Sequence, residues 1–279
     1  MTAFDPPAPI VTSLVNAALA EDLGLLGDIT SNACVDDDRH GVASFVTRDA
    51  GVLAGTALAT EVYRQADPEV VVSWLFTDGD TVEAGAELGR VTGRLRSILA
   101  GERVALNFLS HCSGVASMTR RYVDAARGEV CIRDTRKTLP GLRAAQKAAV
   151  RAGGGFNHRE SLSDAVLIKD NHLSALGIAT AVKRSRTRWP GRIVEVECDD
   201  LEQVAEARDA GVDIVLVDNM TPADVAEAVA LCKGLVQVEV SGNVTLETVP
   251  AYSAAGVDFI SVGAITHSVR VLDIGLDVS

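Results

Sequence analysis

Along the first thirty residues apolar side chains recur at helical spacing. Ile10, Leu14, Val15, Ala18 and Leu19 share one face, and Gly24 and Gly27 close the pattern. From 42 to 92 the texture changes to short Val- and Thr-rich runs, VASFVT, VVVSWLF and ELGRVT, with DGD at 78–80 as a turn signal. Between them GVLAGTALATEVYR predicts a short strand and one helix, which makes this stretch an α+β domain. Helical spacing then runs from about Leu95 to Arg127, with an interruption expected at Ser113-Gly114, and predicts a helix that bridges two domains.

After 129 strands and helices alternate. The predicted strands are Val130–Arg133, Ala165–Ile168, Ile193–Glu197, Ile214–Val217, Val236–Val240 and Phe259–Val262, and helical stretches lie at 140–151, 174–187, 200–210, 222–232 and 245–254. Such alternation means a parallel sheet with right-handed crossovers. Six strands fit an incomplete α/β barrel better than an eightfold one, with an open doubly wound sheet as the alternative. The expected organisation is an N-terminal α/β sandwich domain over 1–108 and a barrel domain over 109–268. The tail 269–279, through DIGLDV, is a candidate strand returning to the first domain.

Composition narrows the classes. The chain has 279 residues, 47% hydrophobic and 23% charged, which suits a folded protein with a large core. Aromatics are only 4%, too few for nucleic-acid stacking platforms, and the net charge of −12 opposes binding to nucleic acid or an anionic membrane. Five scattered cysteines without a CxxC pair read as free thiols. With neither a secretion signal nor an apolar run near 18 residues, the expectation is a cytoplasmic protein.

The reactive groups of a parallel barrel stand at the carboxyl ends of its strands. Those ends carry Asp134-Thr135-Arg136-Lys137, Lys169-Asp170-Asn171-His172, Glu195 and Glu197, Asp218-Asn219, Ser241-Gly242-Asn243 and Gly263-Ala264. Eight cations against three acids lie between 133 and 169, a basic island in an acidic molecule. Arg143, Lys147 and Arg151, at spacing four, read as a solvated helix face. Arg136 and Lys137 at a strand end do not, and Lys169, closing the apolar run AVLI, needs an anion from the protein or from a ligand. Glu195 and Glu197 share one side of their strand, as do Gln237, Glu239 and Ser241, and that side is expected to be the barrel interior. Two readings stand for these acids: structural ion pairs with Lys169 or Arg136, or, for Glu197 with Asp218, a hold on ribose hydroxyls or Mg²⁺. His158 follows a triple glycine that lets backbone approach a ligand closely.

Several blocks carry a family resemblance: TRKTLPGLR at 135–143, GGGFNHRESLSDAVLIKDNH at 153–172, EVEC at 195–198, VDN at 217–219, VSGN at 240–243 and VGAITHS at 262–268. With ERVALNFL at 102–109 and EDLGLLGDITS at 21–31, they resemble the quinolinate phosphoribosyltransferases over nearly the whole chain. The resemblance implies a sandwich domain and an incomplete barrel in a homodimer with shared active sites. It implies transfer of a phosphoribosyl group from phosphoribosyl pyrophosphate (PRPP) to quinolinate with Mg²⁺, giving nicotinate mononucleotide, CO₂ and pyrophosphate in NAD biosynthesis. On matching positions, Arg136, His158, Arg159 and Lys169 would hold the quinolinate carboxylates, with Arg103 reaching in from the other subunit. Lys137 would meet PRPP phosphate, with Thr135 a further substrate-binding residue, and Glu197 and Asp218 would hold the ribose hydroxyls and the metal. Ser241, Gly242, Asn243, Gly263 and Ala264 would line the 5′-phosphate end, with Val262 a further substrate-binding residue. Lys137, Lys169, Glu197 and Asp218 are the implied catalytic set. The rivals are a relative acting on nicotinate, for which fewer cations would suffice, an unrelated barrel decarboxylase, and a binding protein without turnover.

Overall fold

The computed structural model describes residues 4–174 and 176–279. In chain order the first elements are α1 (Ala8–Leu23), α2 (Ile29–Cys34), β1 (His40–Thr47), β2 (Gly51–Val52), α3 (Thr56–Ala66), β3 (Val71–Trp74), β4 (Thr81–Val82), β5 (Glu87–Arg94) and α4 (Leu95–Ala125). Then follow β6 (Cys131–Arg133), α5 (Arg143–Ala152), β7 (Val166–Ile168), α6 (Asp170–Leu173), α7 (Ile178–Arg188), β8 (Val194–Cys198) and α8 (Leu201–Asp209). The chain closes with β9 (Ile214–Asp218), α9 (Pro222–Cys232), β10 (Gln237–Ser241), α10 (Val249–Ala254), β11 (Phe259–Ser261), α11 (Ala264–His267) and β12 (Ile274–Val278). Each of the six strands expected after 129 is present, shifted by at most a residue or two at its ends.

Two compact units form. One comprises Met1–Arg120, Thr138–Gly154 and Ile265–Ser279, and the other Arg121–Lys137 and Gly155–Ala264. The boundary expected at 108/109 falls inside α4. In the first unit an antiparallel sheet runs β12-β1-β5-β3, so the tail does return as a strand, Thr47 opposite Ile274 and Ala43 opposite Val278. Its core includes Phe45, Leu53, Leu58, Tyr63, Leu88 and Ile98, all out of contact with solvent. Phe45 stacks on Trp74 with ring centroids 4.9 Å apart.

Two expectations fail in this unit. The helix α4 is unbroken through Ser113-Gly114. Glycine at 114 answers a close approach instead, because a Cβ there would lie 2.4 Å from the Arg270 carbonyl oxygen. Ser113 stays helical because its buried hydroxyl finds a use, accepting the Ala54 N–H at 3.0 Å. Nor are Arg143, Lys147 and Arg151 a solvated face: Lys147 is fully buried and the other two half-buried. Here α5 is embedded nearly all round, with Gln146 donating to the Thr266 carbonyl at 2.6 Å and Arg151 to that of Phe4 at 3.0 Å.

The second unit holds six parallel strands in the order β6-β11-β10-β9-β8-β7. The first strand in sequence lies beside the last, as in a barrel, and β6 and β7 are left as the two edges. This is an incomplete barrel with one open seam. Val194, Val196, Val215, Val217 and Val240, alternating with inward residues, are buried on the outer side of the strands. The helices start on local signals: Asp200 caps α8 through the Gln203 N–H, and Thr221 caps α9 just before Pro222.

Candidate active site

Strand alternation carries Glu195 and Glu197 of β8 and Glu239 and Ser241 of β10 into the barrel interior, as the sequence predicts; Gln237, at the amino end, is exposed. At the carboxyl ends of the strands opens a cavity of about 420 Å³. Arg136 and Lys137 reach it from the turn after β6, Arg159 from the loop before β7, and Lys169 from the end of β7. Glu197 and Asp218 enter from β8 and β9. Thr135, His158 and Ser241 complete the set of sequence-predicted residues brought together here. Gly242, Asn243, Val262, Gly263 and Ala264 follow the ends of β10 and β11 but stand outside this lining, and Val262 is buried. Arg103 is an exposed residue of α4 in the first unit.

A buried carboxylate delivers His158 and Arg159. Asp134, at the end of β6, has no solvent contact and accepts the His158 N–H at 2.9 Å and the Asn157 side-chain amide at 2.6 Å. Phe156 exchanges backbone hydrogen bonds with Ile132 and Asp134, at 2.8 and 3.1 Å, strapping the loop alongside β6. Arg159 feels its burial first and the neighbouring Arg136 second, and both push its pKa down. Two guanidiniums crowded in this way favour an anion between them.

Lys169 finds its anion in the protein, pairing with Glu197 at the mouth of the strands. Asp218 is steadied by the Asn219 side-chain amide at 2.6 Å, and Asn219 in turn accepts from the Asn243 amide at 3.0 Å. Between these two asparagines, both in left-handed backbone, sits Gly242 at φ +87°, where a Cβ would lie 2.3 Å from the Asn219 Oδ1.

Beneath the cavity lies a buried charge cluster. Arg133 donates to Glu239 at 2.7 Å while stacking on the Phe259 ring, 3.2 Å from its centroid, and Ser261 donates to the other Glu239 oxygen. The His158 Nε2 lies 3.0 Å from Glu195 and 3.5 Å from Glu239. Burial pushes the His158 pKa down, but the Glu195 hydrogen bond and the charges of both carboxylates outweigh it, so the value rises above that of an ordinary histidine. Burial, then the Glu195 charge, raises the pKa of Glu239. Ligand atoms of His158, Glu195 and Glu239 converge within 4.8 Å, as around a metal, yet the Arg133 guanidinium already stands as the compensating cation. The oxygen donors that suit a hard divalent cation are Glu197 and Asp218, on neighbouring strands and both lining the cavity.

Glu239, Ser261, Leu167 and Leu216 also line the cavity without being among the predicted site residues. The period of two along each strand would have found all four. A wider hollow of about 640 Å³ opens near the amino ends of β7, β8 and β9, sharing His158 and Arg159. The cations and the two open carboxylates gather at the carboxyl-end cavity, where barrel chemistry resides.

The chain as a whole is similar to known proteins. Residues 28–113 fit the model of the quinolinate phosphoribosyl transferase N-terminal domain and residues 115–277 that of its C-terminal domain. The chain belongs to the quinolinate phosphoribosyltransferase family. It is 42% identical to the nicotinate-nucleotide pyrophosphorylase (carboxylating), chloroplastic, of Arabidopsis thaliana, covering 98% of this chain and 84% of that protein. It is 40% identical to the probable nicotinate-nucleotide pyrophosphorylase (carboxylating) of Bacillus subtilis, over 95% of this chain and 92% of that one. The solved nicotinate-nucleotide pyrophosphorylase of Francisella tularensis superposes with a TM-score of 0.93 at 43% identity, covering 98% and 97% of the two chains. All five cysteines are free, and no helix among the described residues is long and apolar enough to cross a membrane.

Proposed function

We propose that the protein transfers the phosphoribosyl group of PRPP to quinolinate and releases CO₂ and pyrophosphate, forming nicotinate mononucleotide for de novo NAD synthesis. The observation that carries this reading is one cavity in which Arg136, Lys137, Arg159 and Lys169 face Glu197 and Asp218. Quinolinate has two adjacent carboxylates, and the crowded Arg136 and Arg159 suit them, with Lys169 as a further point charge. Lys137, with Thr135 beside it at the end of β6, would meet PRPP phosphate oxygens.

The ring nitrogen of quinolinate forms a bond to the anomeric carbon as the bond to pyrophosphate breaks. Glu197 and Asp218 favour the positive charge that develops on the ribose, and they would also hold Mg²⁺. When bound, Mg²⁺ neutralises the departing pyrophosphate. The alkylated pyridinium accepts the electron pair of the breaking bond to CO₂, and the carbanion is then protonated, by Lys169 or by water. Before substrate arrives that lysine is paired with Glu197. Ser241, Gly242 and Asn243, with Gly263 and Ala264, would line the 5′-phosphate end, whereas the Val262 N–H is already given to the Arg133 carbonyl at 2.9 Å. Arg103 completes a neighbouring subunit's site in a homodimer, and the free thiols suit a reducing, cytoplasmic setting.

The test is direct: purified protein with Mg²⁺, PRPP and either quinolinate or nicotinate, followed by assay of nicotinate mononucleotide and CO₂. Product and CO₂ from quinolinate alone are expected. Product from nicotinate alone would transfer the reading to a monocarboxylate, and no product from either would refute it.

A further inference from the structure

Both ring nitrogens of His158 are engaged. Nδ1 accepts the backbone N–H of Arg159 at 2.7 Å, so it carries no proton, and the proton on Nε2 points to Glu195. This hydrogen-bond pattern describes a neutral imidazole. The surroundings ask for the opposite charge state, because Nε2 lies against two buried carboxylates, Glu195 from β8 and Glu239 from β10. Arg133 of β6 neutralises only one of them, through Glu239, and Glu195 Oε1 is buried without a hydrogen-bond partner. Asp134 faces the same residue from below, accepting its backbone N–H, and the cations Arg159 and Arg136 stand on its cavity side. The ring is thus poised between a floor that favours a second proton and a backbone donor that occupies the site where it would go.

We propose that ligand binding charges His158. A dicarboxylate seated by Arg136 and Arg159 takes over Nδ1 from the Arg159 amide. One proton from solvent then binds Nδ1, and the imidazolium donates to the ligand carboxylate while Nε2 stays anchored on Glu195 and Glu239. In this scheme Glu195 and Glu239 are positioning residues. They touch no substrate, but they hold the ring and stabilise its charged form. The inference rests on the reading of the cavity as a quinolinate site and adds a proton to its binding equilibrium.

The sign follows from the state of the free enzyme. The two carboxylates already lift the His158 pKa above the ordinary value, so on the acid side the ring is charged before ligand arrives and no proton is taken up. Uptake appears as the pH rises through the free-enzyme pKa. Between that pKa and the higher pKa of the complex, quinolinate affinity falls about tenfold per pH unit, and above the complex's pKa both the uptake and the fall end.

Titration calorimetry of the intact protein with quinolinate, from about pH 6 to about pH 9, in buffers of different ionisation enthalpy, reads the proton count directly. The expected result is uptake rising from near zero toward one proton per quinolinate bound on the alkaline side. His158→Gln should abolish it. Glu239→Gln should shift the uptake window to lower pH, whereas a merely structural loss would weaken binding equally at every pH. Tight quinolinate binding by the unaltered protein with buffer-independent heats throughout would overturn the proposal, as would uptake that survives in His158→Gln. Absence of any quinolinate binding would instead sink the substrate reading itself, and the proposal with it.

Discussion

Replacing Gly242 by alanine should weaken both the PRPP side of the site and the fold. The residue sits at φ +87°, where an L side chain costs about 1–2 kcal/mol. The new Cβ would stand 2.3 Å from the Asn219 Oδ1 and 2.8 Å from the Asp218 Oδ1, and forcing such an overlap in place costs about 1–3 kcal/mol more. A cheaper escape exists. If Asn219 swings away it loses its bonds to Asp218 and Asn243, both on the exposed rim and each worth about 1 kcal/mol. The loop should take that route. The melting temperature should then drop by about 6–16 °C, from about 3–4 kcal/mol of strain and lost bonds at roughly 2–4 °C per kcal/mol for a unit of this size. Asp218, without its support, should let the KM for PRPP rise on the order of tenfold, about 1.4 kcal/mol, with the KM for quinolinate changed less. Initial-rate kinetics with each substrate varied, beside a thermal melt, measure both quantities. Adding Asn219→Ala removes the clashing atom, so the double variant should be less impaired than the sum of the singles. A Gly242→Ala enzyme with unchanged PRPP KM and unchanged melting temperature would refute the reasoning.

Other expectations follow from the same geometry. Arg133→Met should destabilise the protein by about 3–5 kcal/mol in urea titration, because Glu239 would be left buried and unpaired; a loss under about 1 kcal/mol would mean that His158 and Ser261 suffice to hold it. Ser113→Ala strands the Ala54 N–H on a buried helix face and should lower unfolding free energy by about 1–3 kcal/mol, read in the same assay. Mixing inactive Arg103→Ala with inactive Lys169→Ala chains should restore part of the activity if sites are shared in a dimer. Heterodimers that form without recovery would place each site within one chain.

The second unit was legible in the sequence because each of its strands is a short apolar run with helical patterns on either side, and a parallel strand buried on its outer face has little freedom to read otherwise. The inward acids were legible too, since a period of two sends Glu195 and Glu197, or Glu239 and Ser241, to one side. What alternation leaves open is the pairing. Glu239 could have met Lys169 or Arg136, and the fold gives it Arg133, Ser261 and His158, partners set by strand order across the sheet. The error at Lys147 has a similar source. Spacing of four marks a face but does not say whether that face meets water, and α5 is enclosed where an isolated helix would be wet. At Gly114 a residue that usually interrupts helices is required by a neighbour 156 positions away in the chain, a contact no local window contains.

The strand order of the first unit bears on how the protein comes into being. β1 is flanked by β5 on one side and by β12 on the other, and Thr47 also reaches the Asp273 carbonyl across 226 residues. During synthesis at about 5–20 residues per second, β1 must wait roughly 10–50 s for that neighbour to leave the ribosome. Until then one side of Phe45 and its strand is an unpaired edge, open to pairing with another nascent chain. The barrel strands are all made in that interval, so the unit that begins first is finished last. Crowded translation, more than dilute refolding, is where this architecture is most exposed to misassembly.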